Sequence, residues 1–266
     1  MSGSAFRLLT FNCLWQGAAR ERLAAVAPVL DESNVDFLCL QEVTQRRNVG
    51  LLQRDLRSYQ PPEFRPYGVA VKGGLVNFAR RPIERSSYEV FRGRGPHWTL
   101  GWADRLLRKG FLTSWLRFDA LPVVVVNTHM LANYDEDWSP GNRFARQQQN
   151  DLAQLAQAVS WLGTDALVIV AGDFNVPMTS PMLGEFMAAC DLHHSFSSAT
   201  GPAQPTIRNS RPHVPPQAID HILFRAPSGQ PVQATARLLF EEAIVLASGR
   251  RAFASDHLAV EAAFTF

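Results

Sequence analysis

A small set of polar residues recurs at the ends of apolar runs in this chain, and their types decide what chemistry is open to it. Asn12 closes "RLLTFN". Gln41 and Glu42 close "FLCLQE", and Asn127 and His129 close "VVVVNTH". Asp173 and Asn175 end "VIVAGDFN". Asp220 and His221 open "DHILF", while Asp256 and His257 open "DHLAV". Each has an ordinary reading when taken singly: a lone glutamate after a strand meets water, and a lone histidine there is usually a satisfied surface or core residue. Taken together they resist it, because polar acceptors at strand ends cost packing unless something binds them. No serine or cysteine nucleophile motif is among them. Hard oxygens from Glu42 and Asp256, with the Asn12 amide oxygen, suit Mg²⁺ or Mn²⁺. Mg²⁺ is usually held by few carboxylates plus substrate phosphate. Two histidines and further amides suit phosphate oxygens, and Asp173 or a His–Asp pair suits a water. The set reads as metal-assisted hydrolysis of a phosphate ester.

The elements that must position these residues follow from hydrophobic period. Residues 6–15, 35–43 and 110–119 read as strands, as do "VVVVNTHML", "ALVIVAGDFN", "AIDHILFR", "ATARLLFEEAIV" and "DHLAVEAAFTF". "YGVAV" and "GLVNFARRPI" read as two strands joined at Gly73-Gly74, with "SYEVFRG" another and "QPPEFRP" a turn. Helices are predicted over 18–33, 48–58 and 142–162. In the last, Phe144, Gln148, Leu152, Leu155, Val159 and Leu162 share one face. Pro28 weakens the middle of the first helix. Residues 92–109 and 197–217 read as loops. A strand, helix and strand ending at Asn12 and Glu42 is echoed by a later one ending at His129 and Asp173, so like units bring polar ends to one edge.

The chain has 266 residues, 46% of them hydrophobic and 19% charged, enough for a substantial core. Strands outnumber helices and no composition shift marks a linker, so the expectation is one domain over 1–266, with helices outside sheets. The net charge of +2 is too mild to announce nucleic-acid binding, although arginines cluster at Arg46-Arg47, Arg80-Arg81, Arg105-Arg108 and Arg250-Arg251. Cys13, Cys39 and Cys190 make an odd count with no zinc spacing, which points to reduced thiols. There is no signal-peptide pattern at the N-terminus, and no apolar run approaches the ~18 residues of a membrane span. A cytoplasmic monomer is the expectation.

The motifs "TFN", "LCLQEV", "NTHML", "VAGDFN", "IDHIL" and "SDHLAV" occur in the order of the endonuclease/exonuclease/phosphatase superfamily, which the chain resembles from about residue 6 to its C-terminus. Its members include deoxyribonuclease I, apurinic endonucleases, inositol-polyphosphate phosphatases and neutral sphingomyelinases. The resemblance implies an α/β fold, a four-layer αββα sandwich of two packed mixed sheets with the active site at one edge. It implies Glu42 as the principal metal carboxylate, with Asn12 and Asp256 beside it. Asp173 would position or deprotonate the attacking water, and Asn175 would bind phosphate. His129 would contact phosphate or assist the leaving oxygen. His257, paired with Asp220, would stabilise the transition state. Whether Asp173 or His257 is the base stays open. Asn127 is expected to bind substrate. Where deoxyribonuclease I pairs its first histidine with a glutamate on an earlier strand, this chain offers Asn77.

The fold does not choose the phosphate ester. "ADRLLRKGF" places Asp104 five residues before Lys109-Gly110 and resembles a segment near the site of neutral sphingomyelinases, so both residues join the substrate-binding candidates. The ordinary reading is a charge pair in a loop. Trp98, Trp102, Trp115 and Trp138 lie around these segments, as a membrane-facing or base-stacking rim or as core. The expected activity is a Mg²⁺-dependent phosphodiesterase, sphingomyelinase-like toward a phospholipid head group; the alternative is a metal-dependent nuclease on DNA or RNA. A binding module that kept only the fold would not need Glu42, Asp173 and His257.

Overall fold

The structure is a computed structural model and describes residues 5–92, 107–196, 204–208 and 216–266. Period-2 sequence becomes strand with a different partner on each face. In β1 (Ala5–Asn12), Phe6 and Leu8 face the space between two sheets, while Leu9 and Phe11 face a helical layer. The same alternation divides β2 (Phe37–Gln41), β7 (Leu121–His129), β8 (Leu167–Asp173) and β10 (Asp220–Arg225).

Two six-stranded sheets result. One runs β11-β14-β1-β2-β4-β3, the other β5-β6-β7-β8-β10-β9. The remaining strands are β3 (Glu63–Tyr67), β4 (Ala70–Ala79), β5 (Ile83–Val90), β6 (Gly110–Phe118), β9 (His193–His194), β11 (Gln233–Leu239) and β14 (Ala259–Thr265), with a separate ribbon of β12 (Ile244–Val245) and β13 (Arg251–Ala252). Helices α1 (Ala19–Asp31) and α2 (Arg46–Asp55) pack on the outer face of the first sheet, and α3 (Arg143–Ser160) and α4 (Pro181–Ala189) on that of the second. The layers are α, β, β, α. Both predicted units are present, since β1 pairs parallel with β2 across α1, and β7 with β8 across α3.

Some boundaries differ from the sequence expectation. Gly73 and Gly74 do not join two strands. Both lie inside β4 at positive φ, 61° and 64°, and the turn comes earlier, at Gly68. The turn predicted at "QPPEFRP" becomes β3 over most of its length, paired with β4. The predicted strand over 234–245 breaks after Leu239 and resumes only as β12. Helix α1 continues through Pro28, whose ring points to solvent. Asn142 caps α3, its side chain accepting from the Phe144 and Ala145 amides at 2.8 and 3.2 Å. The three cysteines are buried and free. No helix among the described residues is long and apolar enough to cross a membrane.

Candidate active site

The inward face of each central strand changes character toward one edge of the sandwich. In β1 it reads Leu8, Thr10, Asn12; in β2, Cys39, Gln41; in β7, Val125, Asn127, His129; in β8, Ile169, Ala171, Asp173. An apolar layer gives way to an amide layer, then to a charged one.

The amide layer joins the sheets. Gln41 Nε2 donates to Thr10 Oγ1 at 3.0 Å, to the Cys39 carbonyl at 3.1 Å and across to Asn127 Oδ1 at 2.8 Å. Asn127 Nδ2 donates back to the Leu40 carbonyl at 3.2 Å and to Asn77 Oδ1 at 2.8 Å, and Asn77 Nδ2 reaches Ser114 Oγ at 3.0 Å. Asn127 is fully buried, so the expectation that it binds substrate is corrected: its amide is consumed in holding one sheet to the other. Asn77 belongs to the same layer and does not pair with His129.

Above this layer, Asn12 Nδ2 donates to both Asp173 Oδ2, at 2.9 Å, and Glu42 Oε1, at 3.2 Å. The Trp15 amide donates to Glu42 Oε2 at 2.9 Å. Glu42 has φ +62°, uncommon for a residue with a side chain, and Gly74 makes room for it. A Cβ on Gly74 would lie 3.0 Å from the Glu42 Cα. Gly172 does the same for the second sheet. A Cβ there would strike the Thr128 carbonyl, so its absence lets β7 and β8 run close and sets His129 in register with Asp173.

Asp173 is the hub. Its Oδ2 lies 3.4 Å from His129 Nε2 and 4.0 Å from His257 Nε2. Burial, then the charge of Asp220, pushes its carboxyl up to about 7. His257 Nδ1 bonds Asp220 Oδ2 at 2.8 Å. Burial alone would lower the His257 imidazole, but Asp220, Asp173 and Asp256 outweigh it and push it to about 10. Thr206 Oγ1 donates to Asp220 Oδ2 at 2.6 Å, while Asp220 Oδ1 is buried with no partner among the described residues. Lys109 Nζ lies 2.9 Å from His129 Nε2 and 3.0 Å from the Met130 carbonyl. An ammonium donating there needs the Nε2 lone pair, so His129 carries its proton on Nδ1, a tautomer assigned from its partners. Burial, Lys109 and His257 hold His129 well below the usual imidazole range.

Asn175 sits at φ +52°. Its amide N–H donates to Asp173 Oδ1 at 2.9 Å and its Nδ2 to the Met130 carbonyl at 3.1 Å, so Lys109 and Asn175 share one acceptor. Gln148 and Trp138 grip the Asn175 carbonyl at 2.8 and 3.1 Å. Trp138 is thus a support for the site, and Trp115, half-buried, packs against the core beneath the helices with the Arg85 guanidinium over its ring at 4.1 Å. Asp104, Arg105, Trp98 and Trp102 lie outside the described residues. Asp256 is half-buried beside His257, with Oδ1 accepting from Ser255 Oγ at 3.2 Å.

Could this edge hold a divalent cation? Asp173, Asp220 and His257 place ligand-type atoms within 4.8 Å of one another. Ligation through His257 Nε2 would need that nitrogen to lose its proton, however, and against the effect of burial Asp220, Asp173 and Asp256 push the imidazole up to about 10. Glu42 fits better. Its carboxylate is half-exposed, accepts only neutral donors, and pairs with no cation among the described residues. With Asn12 bonded to Glu42, and the charge of Asp256 acting with that of Glu42 on the same Arg22 guanidinium, the donor set is hard oxygen, the chemistry of Mg²⁺ or Mn²⁺.

Thr10 and Thr206 escaped the sequence reading, while Asn77, Gln148 and Trp138 were singled out there but not in the supporting roles that these bonds give them. For Thr10 a signal was present: it stands one inward position behind Asn12 on the same strand face.

Known structures share the fold. In fold, the chain matches zebrafish (D. rerio) TDP2 complexed with a single-strand DNA product, at TM-score 0.76 and 18% identity over 99% of this chain and 100% of that one. It matches sphingomyelinase C from Streptomyces griseocarneus at 0.73 and 20%, over 98% and 99%. It also matches a Staphylococcus aureus beta toxin variant with bound magnesium ions at 0.71 and 15%, over 97% and 99%. No curated protein sequence matches. The Endonuclease/Exonuclease/phosphatase family model matches residues 9–257, so the chain belongs to that family and is a metal-dependent phosphoesterase.

Proposed function

We propose that the protein hydrolyses phosphodiesters with Mg²⁺, and that its substrate is the head-group phosphodiester of a phospholipid. The observation that carries the hydrolytic reading is the placement of Asp173, a buried carboxyl whose Oδ2 lies 2.9 Å from Asn12 Nδ2, 3.4 Å from His129 Nε2 and 4.0 Å from His257 Nε2, and which burial and then the charge of Asp220 raise toward neutrality. A group poised near neutrality suits a general base, whereas His257, at about 10, already carries a proton and suits charge stabilisation. Glu42, Asn12 and Asp256 would hold the cation, which when bound supplies Lewis acidity at phosphate oxygen. Asp173 takes a proton from water through Oδ2 while Asn12 fixes its orientation. Imidazolium His257, held by Asp220, and the Asn175 amide face the phosphate. Lys109 adds a positive charge behind His129.

The lipid reading is supported by Lys109, which reaches the site from just ahead of β6 and is 8% exposed. The likeness in fold to sphingomyelinase C and to TDP2 does not choose between lipid and nucleic acid. A second reading, single-stranded nucleic acid, is favoured by the rim beside Glu42. There Trp15, Tyr67 and Val69 are 49%, 46% and 89% exposed, next to exposed Arg46, Arg47 and Arg108. The deciding experiment is a panel of bis(p-nitrophenyl) phosphate, sphingomyelin in micelles, single-stranded DNA and inositol phosphates, with Mg²⁺ and with EDTA. Cleavage of DNA with none of the lipid ends the lipid reading, and turnover unaffected by EDTA ends the metal mechanism.

A further inference from the structure

One buried ionisable pair lies outside the machinery above. His221 follows Asp220 on β10 and, by strand alternation, points to the opposite face of the sheet, where it is fully buried. His194 comes from β9, the edge strand paired with β10, and is 9% exposed. Their hydrogen bonds form one directed chain. The Phe196 amide donates to His194 Nδ1 at 3.1 Å. His194 Nε2 meets His221 Nδ1 at 3.1 Å, and His221 Nε2 meets the Val176 carbonyl at 2.8 Å. Because the first group can only donate and the last only accept, a single proton arrangement satisfies every member. Both rings are neutral with the proton on Nε2. Burial, which disfavours the charged forms, pushes His194 to about 4 and His221 to about 3 and keeps that arrangement at neutral pH.

Two imidazoles are a costly filling for this space. His221 lies against the Phe174 ring at 5.4 Å, in a layer otherwise built of Leu183, Phe186 and Leu223. Apolar side chains would fill it without any hydrogen bonds to satisfy. What the imidazoles add is a donor aimed at one backbone atom. The chain leaves β8 at Asp173 and makes a left-handed turn at Asn175. Phe174 and Met178 are then tied to the Ile219 and Ala218 carbonyls, both at 3.0 Å, and the Val176 carbonyl lies between these ties.

We propose that His194 and His221 are positioning residues: a two-imidazole relay pins the Val176 carbonyl and so fixes the turn that aims the Asp173 carboxylate and the Asn175 amide. The proposal rests on the reading of Asp173 and Asn175 given above. A displacement of about 1 Å in a reacting group can cost on the order of a hundredfold in rate.

The test compares three variants with the wild-type protein. His221→Phe keeps a ring but removes the donor. His221→Gln returns an N–H to the carbonyl. Val159→Ala opens a cavity under α3 away from the site and reports the effect of lost stability alone. On bis(p-nitrophenyl) phosphate with saturating Mg²⁺, His221→Phe lowers kcat by roughly ten- to a hundredfold with KM within about twofold, and His221→Gln recovers most of it. Val159→Ala leaves kcat unchanged. Hydrogen exchange at the Asn175 amide, which donates to Asp173, speeds up in His221→Phe and is restored in His221→Gln. Long-range ¹H–¹⁵N spectra of the wild type show both rings protonated on Nε2 at neutral pH. A folded His221→Phe with wild-type kcat and wild-type exchange at Asn175 overturns the proposal, as does a wild-type His221 protonated on Nδ1. If His221→Phe does not fold, His194→Phe removes the ring that orients His221, and the same two readings decide. If the wild type cleaves no phosphodiester, the functional reading fails alone, because exchange and tautomer are measured without turnover.

Discussion

The two sheets bring different chemistry to the same edge. The first supplies Asn12 and Glu42 at strand ends and Asp256 just ahead of β14, an oxygen set whose two carboxylates are half-exposed. The second supplies His129, Asp173, Asp220 and Lys109, all less than a tenth exposed, in contact with one another or with His257. Open oxygens suit a cation that keeps some of its water. Closed, low-dielectric surroundings suit groups whose proton affinities must be driven apart. Among the described residues the charged-layer side chains stitch the halves through Asn12 to Asp173, His257 to Asp220 and, more loosely at 4.0 Å, His257 to Asp173. A sharp way to break this division is to damage one half and ask what the other retains.

The largest effect is expected at Glu42. Glu42→Gln keeps the shape and both neighbouring donors but removes the charge. Turnover should fall by about a thousandfold or more, with Mg²⁺ dependence flattened, as for loss of a principal electrostatic group. Circular dichroism and thermal unfolding should stay near wild type. Retained activity in Glu42→Gln would show that the first sheet does not hold the cation.

Next is the stitch between the halves. His257→Ala, Asp220→Ala and the double variant should have similar low rates, since residues acting as a unit lose activity non-additively. Simply multiplicative losses in kcat would mean that the 2.8 Å bond does not work as one device.

Within the second half, Lys109→Ala should reduce kcat for a choline-phosphate lipid by roughly ten- to a hundredfold, more than it raises KM, as when a contact strengthens in the transition state. It should also raise the His129 pKa, because burial and then the Lys109 charge hold that ring low. NMR titration of His129 separates the two roles: a lost rate without a His129 shift would make Lys109 a substrate contact only. If the substrate is DNA, the same variant should instead weaken binding modestly and reduce its salt dependence.

The halves differ again in how much of them the sequence revealed. The edge positions were legible because a carboxylate, amide or imidazole ending an apolar run is a local signal, visible at Glu42, Asp173 and His257 one motif at a time. The repeated strand–helix–strand unit was legible for the same reason. The amide layer was not. Gln41, Asn77 and Asn127 come from three strands on two sheets, so their partnership exists only after the sheets have packed. Asn127 beside His129 therefore looked like part of the reacting surface. Asn127→Leu tests the correction. It should cost about 1–3 kcal/mol of stability by stranding its buried partners, and lower kcat without raising KM; a selective rise in KM would return Asn127 to substrate binding. The turn at Gly68 was displaced for a related reason. Two glycines in a row suggest a turn, but Gly73 and Gly74 are needed inside β4, the second because Glu42 lies against it.

The smallest effect concerns a carboxyl that resembles Asp173 but lies in neither half. Asp151, on the buried face of α3 and 3% exposed, is also pushed up to about 7. Burial is the main cause; its bond from Gln147 Nε2 at 2.9 Å and the charge of Lys109 oppose the rise without cancelling it. Asp173 has His257, Lys109 and Asn12 to stabilise its charged form, whereas among the described residues Asp151 has Gln147 and Lys109. The sign follows from linkage. The folded pKa lies above the unfolded value of 3.8, so the folded state binds the proton more tightly than the unfolded state does. Asp151 therefore costs the fold least below the unfolded pKa. The cost grows as pH rises from about 4 to about 7 and is constant above that. Asp151→Asn should accordingly stabilise the protein at pH 8 by on the order of 1–3 kcal/mol and change little at pH 4. Urea unfolding at the two pH values reads the difference directly. The same substitution at Asp173 should also raise stability at pH 8 while abolishing turnover, which would mark the Asp173 strain as functional. If Asp151→Asn loses activity as well, Asp151 is coupled to the site through Lys109, and the boundary of the proton-handling half must be moved out to include α3.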